Sequence, residues 1–227
     1  MPDFDLKGIR LSVPRHVSGP KVFEAMRSGR YEQAEARCAE RRIAAGDKVL
    51  EIGAGVGFVT ALCAKAAGAE NVTAVDAHPD LLAVVEANLA QNELEGVRLI
   101  HGAVAGEVQG GDKTITFNIG PAFWGSSLVE TPANAKRQVE VPLLDIHALL
   151  EETAATVVIM DVEGAEASMF SQPWPARVHT VCIELHPARF TEGDTKRIFD
   201  RLSEIGLSYD PHVSNRDVVC LTRNRGF

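Results

Sequence analysis

Val49-Leu50-Glu51-Ile52-Gly53-Ala54-Gly55-Val56-Gly57 is a short apolar run holding one acid, followed by glycines at every second position. An apolar run of this length reads as a strand buried on both faces of a parallel sheet. Glycines directly behind it permit a tight turn and let the backbone approach a ligand with no Cβ in the way. Residues 56–67 then read as a helix whose first amides can face a carboxylate or a phosphate. The spacing is GxGxG rather than the GxGxxG of dinucleotide folds, and no Lys-Ser/Thr follows as a P-loop requires. A carboxylate at Glu51 repels a pyrophosphate and can pair with an ammonium, so the expected ligand has a cationic amino-acid end.

S-adenosylmethionine has such an end. A second strand, Asn71-Val72-Thr73-Ala74-Val75-Asp76, closes on an acid about 20 residues past the glycines, where a carboxylate that grips ribose hydroxyls belongs. Asp76 can also cap a helix beginning near Pro79, and one carboxylate can serve both ends.

Outward from these strands the chain alternates: strand 48–52, helix 56–67, strand 72–75, helix 79–92, strand 97–101. Alternation of this kind predicts an α/β architecture, a parallel doubly wound sheet with right-handed crossovers. Residues 113–117 and 138–141 are β-rich. Between them residues 118–137 form a loop long enough to be a lid or else disordered, carrying Phe123 and Trp124 as a candidate substrate wall and Ser126 and Ser127 as hydroxyl contacts. A helix over 144–152 precedes strand 156–160, which ends at Asp161. Strand 180–184 ends at Leu185-His186-Pro187, and a helix over 194–205 stops at Gly206. Residues 207–209 and 218–222, joined by a short loop, are expected to pair antiparallel. Ahead of Lys48 no strand is expected. Residues 22–40 read as a helix broken near Ser28-Gly29, with Phe23, Met26, Ala34 and Cys38 as candidate inward positions.

With 227 residues, 45% hydrophobic and 24% charged, the chain is sized for one domain with a substantial core. A net charge of -8 supplies no global basic field for a nucleic acid. Arg37, Arg41 and Arg42 make a local basic patch that reads as a solvated helix face. No run approaches the roughly 20 apolar residues of a membrane span, and the acidic start, Met1-Pro2-Asp3-Phe4-Asp5, is no secretory leader. Cys38, Cys63, Cys182 and Cys220 lack CxxC spacing and read as buried, reduced thiols of a cytoplasmic protein.

From about Asp47 to His186 the chain resembles the FkbM-type S-adenosylmethionine-dependent methyltransferases. The resemblance rests on Leu50-Glu51-Ile52-Gly53-Ala54-Gly55-Val56-Gly57, Gly125-Ser126-Ser127-Leu128, Met160-Asp161-Val162-Glu163-Gly164-Ala165-Glu166 and Ile183-Glu184-Leu185-His186. The Asp161–Glu166 box is the most specific to that family; the glycine turn identifies only the superfamily. Glu51 stands where Asp is common, Val56 where Asn is, and Asp76 where Glu is. Both acid exchanges keep the charge.

The resemblance implies a Rossmann-like class I methyltransferase fold. Its sheet is seven-stranded and mostly parallel, with an antiparallel C-terminal hairpin and helices on both faces. It divides the chain into an N-terminal helical extension, 1–45, and an S-adenosylmethionine-binding domain, 46–227. Within the superfamily Gly53, Ala54, Gly55 and Gly57 would lie against the methionine part, with Glu51 near its ammonium. Asp76 would accept from the ribose hydroxyls, Ala77 would lie beneath the adenine, and Gly102 and Ala103 would border its edge.

Methyl transfer to a hydroxyl needs alignment and a base. Asp161 and Glu163 at one strand end and His186 at the next are the candidate catalytic residues. Each has a plainer role available: His186 ordering a turn before Pro187, Glu163 capping a helix, Asp161 holding the substrate or the cofactor's amino group; Glu166 reads as a first-turn acid favoured by a helix dipole. A cation on Asp161 with Glu184 or His186 is chemically conceivable, but no dense acidic cluster marks it and no metal is expected. The expected acceptor is a hydroxyl of a small molecule or sugar. A nitrogen of a protein or RNA is the alternative, disfavoured because no amine-methylating loop of the Asn/Asp-Pro-Pro-Phe/Tyr type follows Met160. A non-catalytic binding module on the same fold is a third reading, and a homo-oligomer is compatible with all of them.

Overall fold

The computed structural model describes residues 3–106, 108, 113–119, 137–162, 164–186, 189 and 191–223. The chain opens on a β-hairpin, β1 (Asp3–Leu6) and β2 (Ile9–Ser12), where no strand is expected from sequence. Its strands are four residues each, too short to stand out, yet they alternate: Ile9 and Leu11 are fully buried and Arg10 faces out. The two-residue turn Lys7-Gly8 has positive φ at both positions, as a tight hairpin that follows the strand twist requires. Next come α1 (Arg15–Arg27), kinked at Gly19-Pro20, and α2 (Gln33–Arg42), separated by the expected break. Ile9, Leu11, Met26, Cys38 and Val49 share one apolar cluster, so this segment packs into the core of the sheet that follows.

That sheet begins with β3 (Val49–Ile52), α3 (Phe58–Ala67), β4 (Val72–Asp76), α4 (Leu82–Ala90) and β5 (Arg98–His101). A side sheet intervenes, made of β6 (Ala103–Ala105), β7 (Thr114–Ile119) and β8 (Arg137–Asp145) in the order β6-β8-β7. α5 (Ile146–Thr153), β9 (Val157–Met160), β10 (Thr180–Glu184), α6 (Glu192–Glu204), β11 (Ser208–Tyr209) and β12 (Val218–Thr222) complete the chain. The main sheet has the order β11-β12-β10-β9-β3-β4-β5, parallel from β10 to β5 and antiparallel at β10/β12 and β11/β12. This is the seven-stranded architecture expected.

Helix starts shift where caps decide them. Asp145 accepts from the amides of His147 and Ala148, so β8 extends and α5 begins at Ile146. A reciprocal Thr191/Asp194 capping box starts α6 at Glu192. One face of the sheet packs on α2 and α3, the other on α5 and α6. All four cysteines are buried and free. Scattered in sequence, three of them meet: Cys38 Sγ lies 3.8 Å from Cys220 Sγ, and Cys182 pairs across the strands with Cys220. Among the described residues no helix is long and apolar enough to cross a membrane.

Candidate active site

The chain leaves β3 for β4 and β5 on one side and returns to β9 on the other, so strand order reverses between β3 and β9. Ligands of open α/β sheets bind beyond the carboxyl ends at such a point. The register there is informative. Glu51 lies opposite Ala74 and Ile159, and Ile159 opposite Cys182. Asp76, Asp161 and Glu184 each come two residues after one of these partners. Side chains alternate along a strand, so β4, β3, β9 and β10 set four carboxylates on one face at their carboxyl ends.

A cavity of about 290 Å³ opens there, at the lower edge of the roughly 300–1,000 Å³ usual for small-molecule sites. Gly53, Gly55, Asp76, Ala77, Gly102 and Ala103 line it, all named from sequence. Ala54, Gly57 and Glu51 do not. Glu51 points below the turn into the layer under α3. It is 3% exposed, and its Oε2 has no hydrogen-bond partner. Burial, with the charge of Asp76 added, pushes its carboxyl up to about 8. Asp76 accepts from the amide of Gly55 at 2.9 Å on one oxygen and from that of His78 at 2.7 Å on the other. Burial raises it to about 6 against the pull of those amides. The carboxylate therefore staples the glycine turn while retaining lone pairs toward the cavity. It is not a helix cap, since α4 begins six residues later at Leu82.

Gly53 is required for a reason other than ligand approach. Its φ is +93°, and a Cβ would stand 2.0 Å from the carbonyl oxygen of Asp161. The close neighbour is the protein's own next strand.

The opposite end of the cavity is lined by Tyr31, Glu32, Asp161 and Glu184. Tyr31 and Glu32 come from the break between α1 and α2, Glu32 in a left-handed conformation (φ 44°). Sequence reading missed both, because nothing in the residue types announces a left-handed Glu. Burial raises the Glu32 carboxyl well above its ordinary value, with Glu35, Asp161 and Glu51 adding negative charge. Glu35, on α2, is pushed up to about 7 by burial, with the charge of Glu184 also raising it. Among the described lining residues there is no Lys or Arg. An acid-lined end opposite an apolar one (Ala77, Leu81, Val104, Phe117) suits a ligand with a cationic end and an aromatic end.

His186 stands behind Asp161 rather than on the cavity wall. Its Nε2 is 3.7 Å from Asp161 Oδ1, and its Nδ1 is 2.5 Å from Glu166 Oε1. Donor atoms of Asp161, Glu184 and His186 lie within 4.8 Å of one another, compact enough to bridge a divalent cation. Glu166 is a first-turn acid, as its sequence reads, of the short 3-10 helix Glu166–Phe170, and it is fully buried there with Oε1 turned toward His186. Glu163 lies outside the described residues, as do Phe123, Trp124, Ser126 and Ser127.

Residues 49–118, from β3 to the end of the first half of the sheet and into β7, match the family described as "Methyltransferase domain". No curated protein matches the chain. Solved structures with similar folds include Trm5b from Pyrococcus abyssi, at 15% identity and TM-score 0.49, over 95% of this chain and 52% of that one. The chain thus spans about half the length of that protein. The ribosomal protein L11 methylase from Lactobacillus delbrueckii subsp. bulgaricus follows at 14% identity and TM-score 0.46, over 86% of this chain and 80% of that one. A SAM-dependent O-methyltransferase from Thermotoga maritima has 12% identity and TM-score 0.42, over 85% of this chain and 65% of that one. At this level of similarity the strand order and the matched segment carry the conclusion. Residues 49–118 are similar to a methyltransferase domain and belong to a mostly parallel, Rossmann-like α/β sheet.

Proposed function

We propose that the chain is a cytoplasmic O-methyltransferase of the FkbM type, acting on a hydroxyl of a small molecule or sugar. The observation behind this reading is the row of carboxylates along one cavity, Asp76 at the end of β4 and Asp161 at the end of β9. When bound, S-adenosylmethionine supplies a methyl group on a positively charged sulfur. Asp76 would take the ribose hydroxyls, Ala77, Gly102 and Ala103 would border the adenine, and Gly53 and Gly55 would pass under the methionine. Glu32, on the cavity wall, is better placed than Glu51 to meet the ammonium directly; Glu51 acts on that end through the field of its buried carboxyl. Asp161 has access to the cavity and would take the acceptor's proton, with His186 beside it to receive it in turn. Glu163 remains a third candidate in that box.

The acid-lined end also disfavours phosphate-rich acceptors, since a carboxylate wall repels them. The same wall favours an amine as the second reading. Calorimetry with S-adenosylhomocysteine is the first test: a folded sample that does not bind it ends both readings. Transfer of radiolabelled methyl to pools of sugars, amines, RNA and protein then separates the acceptors, and labelling of RNA alone would overturn the proposal.

A further inference from the structure

A second hollow, of about 460 Å³, opens at the other end of the sheet from the acid-lined cavity, within the size usual for small-molecule sites. The last turn of α2, the start of β10, the end of β12 and the loop after β11 wall it. β10 runs from Thr180 in this hollow to Glu184 in the first cavity, roughly 13 Å at the rise of a strand. The two sites are separate.

The charge of this hollow opposes that of the chain. Three guanidiniums, Arg41, Arg42 and Arg223, line it with a single carboxylate, Asp210, in a chain of net charge -8. Arg42 is taken up by Asp210. Among the described residues neither of the other two has a carboxylate partner. Arg223 donates through Nη2 to the carbonyls of Ala176 and Ile205, at 2.6 and 2.8 Å, and its Nε is buried with no hydrogen-bond partner. Carbonyls satisfy its hydrogens but leave its charge without a counter-ion, a costly state for a half-buried cation. Arg41, in the last turn of α2, suits the helix dipole; that accounts for one cation and not for Arg223, which follows β12. On the rim, Tyr209 is 53% exposed, and among the described residues it is the only large hydrophobic that is. Beside two unpaired guanidiniums it offers a face on which an aromatic ring can stack.

We propose that this hollow binds a nucleotide, with Arg41 and Arg223 on the phosphate and Tyr209 stacked on the base. Phosphate supplies the charged, multiply accepting partner that both guanidiniums lack. The unit recognised is one phosphorylated nucleoside, free or carried in single-stranded RNA. The site is independent of the acceptor that the chain methylates.

The test is calorimetry on the full chain saturated with S-adenosylhomocysteine, so that a nucleoside site in the first cavity is filled. Guanosine monophosphate should bind, with guanosine and inorganic phosphate each weaker by about tenfold or more. R41Q should weaken the monophosphate about tenfold, and Y209S about fivefold or more. Both side chains are exposed, so both variants should keep the wild-type melting temperature and bind S-adenosylhomocysteine within about threefold of the wild type. An RNA octamer of alternating guanosine and adenosine that binds more than about tenfold tighter than the monophosphate assigns the site to RNA; equal affinity assigns it to free nucleotides. No binding of the monophosphate at millimolar concentration overturns the proposal. So does binding that R41Q and Y209S leave unchanged, and so does inorganic phosphate binding as tightly as the monophosphate. If S-adenosylhomocysteine itself does not bind, the functional reading fails, and the response to R41Q and Y209S still decides this site, because neither residue lines the first cavity.

Discussion

Gly53 shows how one atom's worth of space sets the site. A Cβ added there meets the Asp161 carbonyl oxygen at 2.0 Å, and the φ of +93° is one that side chains rarely adopt. Backbone has nowhere to retreat in the middle of a sheet, so Gly53→Ala must part β3 from β9. The expected cost is about 2–4 kcal/mol in chemical unfolding, from left-handed strain plus overpacking. S-adenosylhomocysteine affinity should fall with it; an unchanged unfolding midpoint would show that β9 is free to move. Asp161 carries the opposite expectation. Its side chain lines the cavity at a turn built from backbone bonds, the amide of Asp161 donating to Ile52 at 2.9 Å. Asp161→Asn keeps the shape and removes the proposed base, so methyl transfer to the acceptor that supports turnover should drop about 100-fold or more. Cofactor affinity should hold within an order of magnitude, and full activity in D161N would rule out its role as base.

At the scale of elements, α2 holds the far wall of the cavity, since Glu32 and Tyr31 lie at its start. Its other end is tied down by Arg42, which bonds the carboxylate of Asp210 at 2.5 Å in the loop between β11 and β12. Asp210 is 3% exposed, so Arg42 is no solvated helix face but the partner of a buried acid. Arg42→Met should cost roughly 3 kcal/mol in unfolding free energy, the low edge for a broken buried pair because Arg42 keeps partial exposure. Adding Asp210→Leu should recover most of that; no recovery would assign the loss to packing. The failure to read Arg42 correctly is general in kind. Elements governed by hydrophobic period were legible: β3, β4, β9 and β10 fall where apolar runs place them, and their terminal acids Glu51, Asp76, Asp161 and Glu184 are visible in the chain. Contacts made by distant segments were not. The β1/β2 hairpin consists of strands too short to register, and Glu32 reaches the cavity only through a backbone angle. Glu166 is buried by a fold that its local sequence does not describe, and Glu51 faces inward because strand alternation, not ligand chemistry, directs it.

The whole molecule keeps a cluster of buried carboxyl groups on one side of its sheet, and that has a measurable signature. Glu35 at about 7, Glu51 at about 8 and Asp76 at about 6 are all raised above ordinary carboxylates, chiefly by burial. A raised carboxyl means the folded chain holds protons that the unfolded chain has already released. Stability therefore falls as pH rises through these values, by linkage. Below roughly pH 4 both states are protonated and the effect is absent; above about pH 8 it is fully developed. The ligand-free protein should lose melting temperature steadily between pH 5 and pH 8.5, and Glu51→Gln should flatten the upper part of that slope. A cationic ligand reverses the bias, because positive charge beside these groups favours their ionised forms. Binding near pH 7 should then expel protons, more for S-adenosylmethionine than for S-adenosylhomocysteine, which lacks the sulfonium charge. Calorimetric heats in phosphate and in Tris, whose ionisation enthalpies differ widely, report the number released. Equal heats in the two buffers would mean that the carboxylates are not coupled to the ligand, and the acid wall would then be a structural feature alone.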